Sequence, residues 1–165
     1  MATLHDALAW LQETPLAHAI QDSEVLFPAL ESIHVLALAV LAGTIAHVDL
    51  RLLGLAWRGR ALAAVTREAL PWSWAGFAVA LASGALLFVS AATRYGDNIA
   101  FRIKLALLLL AGLNALVFHA LAQPRHPEQG ARQPPPASFR VIGGASLLLW
   151  AGVIVAGRWI GFTVR

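Results

Sequence analysis

The chain has 165 residues, 59% of them hydrophobic and only 13% charged, with a formal net charge of +3. A water-soluble domain carries about 25% charged residues, so this composition indicates a one-domain membrane protein. Cysteine is absent, which excludes disulfides, thiolate metal sites and cysteine nucleophiles.

The first 23 residues are acidic, hold no lysine or arginine and are only partly apolar. They lack the basic start of a cleavable signal peptide. Leu4, Leu8 and Leu11 share one helical face with Ala7, and Trp10 lies nearby. Thr14-Pro15 can cap and start a second piece of helix. The spacing predicts an amphipathic interfacial helix over 1–23, ahead of a four-helix membrane domain over 24–165.

Four apolar segments follow, at 28–54, 72–93, 99–122 and 139–162. Each is long enough for a span, and none shows strand alternation. Pro28 and Pro71 stand where first helical turns would begin. "YGDN", residues 95–98, reads as a turn with Asp97 or Asn98 capping the third helix. "QPRHPEQGARQPPPAS" is a proline-rich loop, and Ser138 can cap the fourth helix. The fold class is therefore all-α: a four-helix transmembrane bundle preceded by an amphipathic interfacial helix.

Basic residues set the expected orientation. With the N-terminus outside, Arg51, Arg58, Arg60, Arg67, Arg125, Arg132 and Arg140 lie inside, against Arg94, Arg102, Lys104, Arg158 and Arg165 outside. That bias favours N-out and C-out in a bacterial inner membrane. No Lys/Arg cluster is dense enough for nucleic acid, and the lipid bilayer is the expected partner. A membrane or periplasmic protein partner stays open. Gly76, Ala80 and Gly84 form a small-residue stripe in the second helix, and Gly143, Gly144 and Gly152 do similar work in the fourth.

Ionisable groups inside the spans must be paired, face a partner helix or have a function. Glu31 and His34 are three residues apart and share a face of helix one. Asp49 returns to that face about 27 Å further along, while His47 is turned by about 160°. In helix three, Lys104 and His119 lie on one side, about 22 Å apart. Depth matching predicts two polar layers. One holds Glu31, His34, Lys104 and Arg158, with Arg102 nearby. The other holds His47, Asp49, Arg51 and His119. Asn114 lies between them and can donate across helices. His5, His18 and His126 fall in polar segments and read as surface residues.

For any one histidine within a span, hydrogen-bonded packing is the commoner role. Three together raise the reading that b-type haem is bound. His47 with His119 is the pair that depth permits, and His34 could serve as a single ligand or a proton carrier.

The four segments "ESIHVLALAVLAGTIAHVDLRLLGL", "LPWSWAGFAVALASGALLF", "FRIKLALLLLAGLNALVFH" and "GGASLLLWAGVIVAGRWIGF" resemble an uncharacterised family of bacterial four-helix membrane proteins. That resemblance covers nearly the whole chain and implies the fold. "YGDNIAFRIKLALLLLAGLNA" is similar to copper-resistance D-type membrane domains through Tyr95, Gly96, Lys104 and Asn114. His34, Lys104 and His119 resemble positions in the membrane protoporphyrinogen oxidases that bind b-type haem. The single methionine is Met1, so the methionine ligands of a copper carrier are missing. Three functions are expected from these readings. They are a haem-binding redox or electron-transfer component, a copper or small-solute transport component, and a non-catalytic membrane subunit. No nucleophile triad or phosphate loop points to another enzyme class.

Overall fold

The computed structural model describes residues 3–122 and 135–163. His126, Arg125, Arg132, Arg165 and most of the proline-rich loop lie outside the described residues. The elements in order are α1 (Leu4–Gln12), α2 (Pro15–Gln21), α3 (Leu26–Leu52), α4 (Leu62–Ser90), α5 (Ala92–Asp97), α6 (Ile99–Ala122) and α7 (Ala137–Thr163).

Four of these, α3, α4, α6 and α7, are long and apolar enough to cross a membrane. Their outward faces carry Leu36, Leu109, Leu148, Trp72 and Trp74, all well exposed. A water-facing surface so rich in large apolar groups would aggregate, whereas in lipid it is the expected exterior. The chain is a multi-pass membrane protein. Both described termini lie at one end of the bundle, here the first end. There Asn98 Nδ2, before α6, donates to Thr163 Oγ1 of α7 at 2.9 Å. The turn from α3 to α4 marks the second end.

The expected interfacial helix is two helices. Thr3 caps α1, its Oγ1 accepting from the Asp6 N–H while the Asp6 carboxylate accepts from the Thr3 N–H at 2.7 Å. Thr14 caps α2, with Pro15 in the first turn. Both helices dock on the first end. Gln12 Oε1 accepts from the Thr93 N–H and hydroxyl, and Gln21 donates to the Ser90 carbonyl. Ala17 and Ile20 are buried beneath α2, while Leu4 and Trp10 stay exposed.

The Thr3 N–H holds the Asp6 carboxyl below its ordinary value. A depressed carboxyl contributes stability that is fully present above its unfolded value and is lost as pH falls through the folded one. Acidification below the ordinary carboxylate range should therefore lower the amide-exchange protection of α1 relative to the intrinsic rate at each pH. In Asp6→Asn that acid-dependent step should vanish.

Two boundaries differ from expectation. Helix α4 begins at Leu62, ten residues before the expected 72, and Pro71 lies inside it. Residues 62–70 are mostly good helix formers, and one missing amide donor does not outweigh them. Ser138 is not a cap, because α7 already begins at Ala137 and the Phe139 N–H bonds the Pro136 carbonyl. Asn98 does cap α6, accepting from the Phe101 N–H at 3.1 Å. At its far end α3 closes on Gly54, whose φ of 70° suits glycine, with the Leu55 N–H reaching back to the Leu50 carbonyl.

The spans pack as an open arc. Helix α4 packs on α3, α3 on α7, and α7 on α6. Glycines set the spacing. A Cβ on Gly76 would stand 3.0 Å from the Leu41 amide nitrogen and 3.1 Å from the Ala37 carbonyl oxygen. A Cβ on Gly143 would stand 2.9 Å from Leu52 Cβ, and one on Gly152 3.1 Å from Leu107. At the second end Leu52, Phe118, Phe139 and Ile142 form a buried cluster that joins α3, α6 and α7.

Candidate functional site

The register of α4 on α3 builds the site. Gly76 lies against Leu41, and the residues seven positions away from each, Ser83 and His34, meet one level up. His34 Nδ1 is 3.0 Å from Ser83 Oγ. Gly84 makes room for the imidazole, since a Cβ there would stand 2.9 Å from His34 Cε1.

The Ser83 hydroxyl lies 2.6 Å from the Val79 carbonyl and 3.3 Å from the Ala80 carbonyl. The Ala80 carbonyl also faces the His34 ring. With the serine proton on Val79, the hydroxyl oxygen accepts from the Nδ1–H of His34, the tautomer that puts the ring's lone pair on Nε2. This is how a second hydrogen bond orients a metal-binding imidazole.

Lys104 comes from α6. Its chain lies along Gly157 of α7, where a Cβ would stand 3.6 Å from Nζ. Lys104 is close enough to act electrostatically on His34. No carboxylate pairs with it: among the described residues the ion pairs are Arg60–Glu68 and Arg102–Asp97. Glu31, expected to face Lys104 or Arg158, is exposed and has neither as an ion-pair partner. Arg158 is also exposed, its guanidinium 5.0 Å from the centre of the Phe162 ring. Of the expected first layer, the structure brings together His34 and Lys104 and leaves Glu31 and Arg158 outside. Glu31 instead lies near Tyr95 of α5, close enough to act on it electrostatically.

The second layer also separates. Asp49 is 4% exposed, sits beside Ser146 of α7, and its Oδ2 has no hydrogen-bond partner among the described residues. Arg51, equally buried, donates from Nε to the Arg60 carbonyl at 2.9 Å and ties the end of α3 to the turn before α4. Asn114 Nδ2 donates to the Ile142 carbonyl at 3.2 Å, joining α6 to α7.

His47 packs against Trp57, ring centres 3.8 Å apart and planes tilted by 45°, on the side of α3 that faces α4. His119 is exposed on α6, beside Phe118. With α7 standing between α3 and α6, these two histidines are not brought together, and His34 lies at the opposite end from His119. Among the described residues no group of three or more His, Asp or Glu side chains is placed to hold a bare metal ion.

Sequence reading missed Ser83, and it took Gly84 only as a packing residue. The signal was available: the small-residue stripe on α4, laid antiparallel on α3, puts residue 83 opposite residue 34.

The chain matches the family of unknown function DUF6644 over residues 22–163 and belongs to it. No curated protein and no solved structure matches the chain.

Proposed function

We propose that this DUF6644 member is a haem-binding redox component of its membrane, holding one b-type haem through His34. The observation that carries this reading is the contact of His34 Nδ1 with Ser83 Oγ at 3.0 Å, the serine hydroxyl lying 2.6 Å from the Val79 carbonyl: the tautomer this arrangement favours puts the lone pair on Nε2. The donor set fits the group. A neutral imidazole suits haem iron, and Lys104, without a carboxylate of its own, suits a propionate. When bound, haem would supply one-electron chemistry, and its potential would reflect a single histidine ligand in an apolar bundle. His34 would bind and orient, Ser83 would fix the ring, and Lys104 would neutralise charge.

A solute path draws less support. Between the His34 end and the Asp49 end the buried side chains are mostly apolar, Ala37, Leu41, Ala80 and Val153 among them, and Thr44, Ser73 and Asn114 there are hydrogen-bonded to one another or to backbone carbonyls.

Titrating haemin into the full-length protein in mild detergent tests the reading. A Soret band should grow to one haem per chain, with the spectrum of iron held by a single histidine. No uptake beyond the detergent background would overturn it, and a bis-histidine spectrum would overturn the assignment to His34 alone.

A further inference from the structure

At the second end, α3 and α4 leave a cavity of about 260 Å³ lined by Gly43, Thr44, His47, Glu68 and Ala69. It lies on the lipid side of the bundle. Leu36, Val40, Gly43 and His47 follow one another at i, i+4, i+7 and i+11, a single stripe of α3. Leu36 and Val40 on that stripe are exposed, while α7 packs elsewhere on α3, at Asp49 and Leu52. Trp72, one turn beyond Glu68, is exposed, and tryptophan is the residue type enriched where membrane proteins meet lipid headgroups.

The wall of the cavity is built at some cost. Trp57 has a φ of 50°, a region that bulky residues rarely adopt, and there it presses its ring on His47. The rim carries both signs of charge. Arg60 donates twice to the Glu68 carboxylate, and Arg67 and His47 are near enough to act on the same group.

We propose that this cavity seats the headgroup of a phospholipid with both a phosphodiester and a primary ammonium, of the phosphatidylethanolamine type. Each Glu68 oxygen gives one lone pair to Arg60 and keeps another for an incoming N–H donor. Thr44 is already committed, donating to the Val40 and Leu41 carbonyls and accepting from Ser73. Recognition of the ammonium therefore falls to Glu68 and His47, and recognition of the phosphate to Arg60 and Arg67. A quaternary ammonium has no N–H to give, and an anionic headgroup brings no N–H cation to the lone pairs that Glu68 keeps beside Arg60. One acyl chain then follows Val40 and Leu36.

Native mass spectrometry of the full chain in mild detergent tests this, with phosphatidylethanolamine, phosphatidylcholine and phosphatidylglycerol of matched chains. One phosphatidylethanolamine should be retained per chain, bound about tenfold more tightly than phosphatidylcholine, as the loss of a charge-assisted hydrogen bond implies. Gly43→Leu should fill the cavity without a clash, because nothing lies within 4 Å of its Cβ position. It should lower phosphatidylethanolamine retention to the phosphatidylcholine level, while Gly112→Leu, equally unobstructed, leaves it unchanged. Equal retention of the two zwitterionic lipids would overturn the proposal. So would tighter binding of phosphatidylglycerol, or a Gly43→Leu protein that retains lipid as before. Haem uptake is read separately at His34, so either result stands without the other.

Discussion

Gly76→Leu should destabilise the protein severely, by about 3 kcal/mol or more, the upper part of the range for overpacking a tight interface. The reason is what a new side chain would meet. Its Cβ alone would come within 3.0 Å of the Leu41 amide nitrogen and 3.1 Å of the Ala37 carbonyl oxygen. These are helix backbone atoms, and they cannot rotate away as a side chain can. Helix α4 would have to lift from α3 over the whole length of their contact. The same lift would part Ser83 from His34 and Ser73 from Thr44, each pair now 2.9–3.0 Å apart. Gly112→Ala is the contrasting case, because its Cβ would meet nothing within 4 Å. It should raise stability by up to about 1 kcal/mol through the lower entropy of the unfolded chain. Thermal unfolding in detergent checks both. If Gly76→Leu melts like the parent protein, the close approach of α3 and α4 is wrong.

That contrast also shows which features were legible in the sequence. Four apolar stretches without strand alternation could only be spans, and the caps at Thr14 and Asn98 follow from short-range rules that hold in any context. Helix depth was legible too, because rise per residue is fixed. What depth cannot give is which helix stands beside which. Pairing His47 with His119 assumes that the first and third spans touch, and α7 lies between them. Neighbour order is set by where glycines admit a backbone, as at Gly76 and Gly143, and a periodicity count does not record that. Burial of Arg51 was hidden for a related reason. Its partner is the backbone carbonyl of Arg60, and any residue could supply a carbonyl.

His34→Ala should abolish the Soret band of haem added to the purified protein. His119→Ala should leave it intact, since His119 is exposed on α6 and far from Ser83. A deletion alone does not separate a ligand from a residue that only holds the bundle together, so three further variants carry the argument. Gly84→Val keeps the imidazole but puts carbon where Cε1 now lies, 2.9 Å from a Cβ at that position. The ring must then leave its place against Ser83, and the band should fall as far as in His34→Ala. Ser83→Ala removes the acceptor that keeps the proton on Nδ1. Loss of such an orienting partner weakens metal binding about 10- to 100-fold, so uptake should persist with a higher midpoint rather than vanish. In His34→Gly, millimolar imidazole should restore the band, because the missing nitrogen can be supplied from solution. Restoration would show that the position ligates the iron. A His34→Ala protein that still takes up haem fully, or a Ser83→Ala midpoint equal to the parent, would remove His34 from the centre of the site.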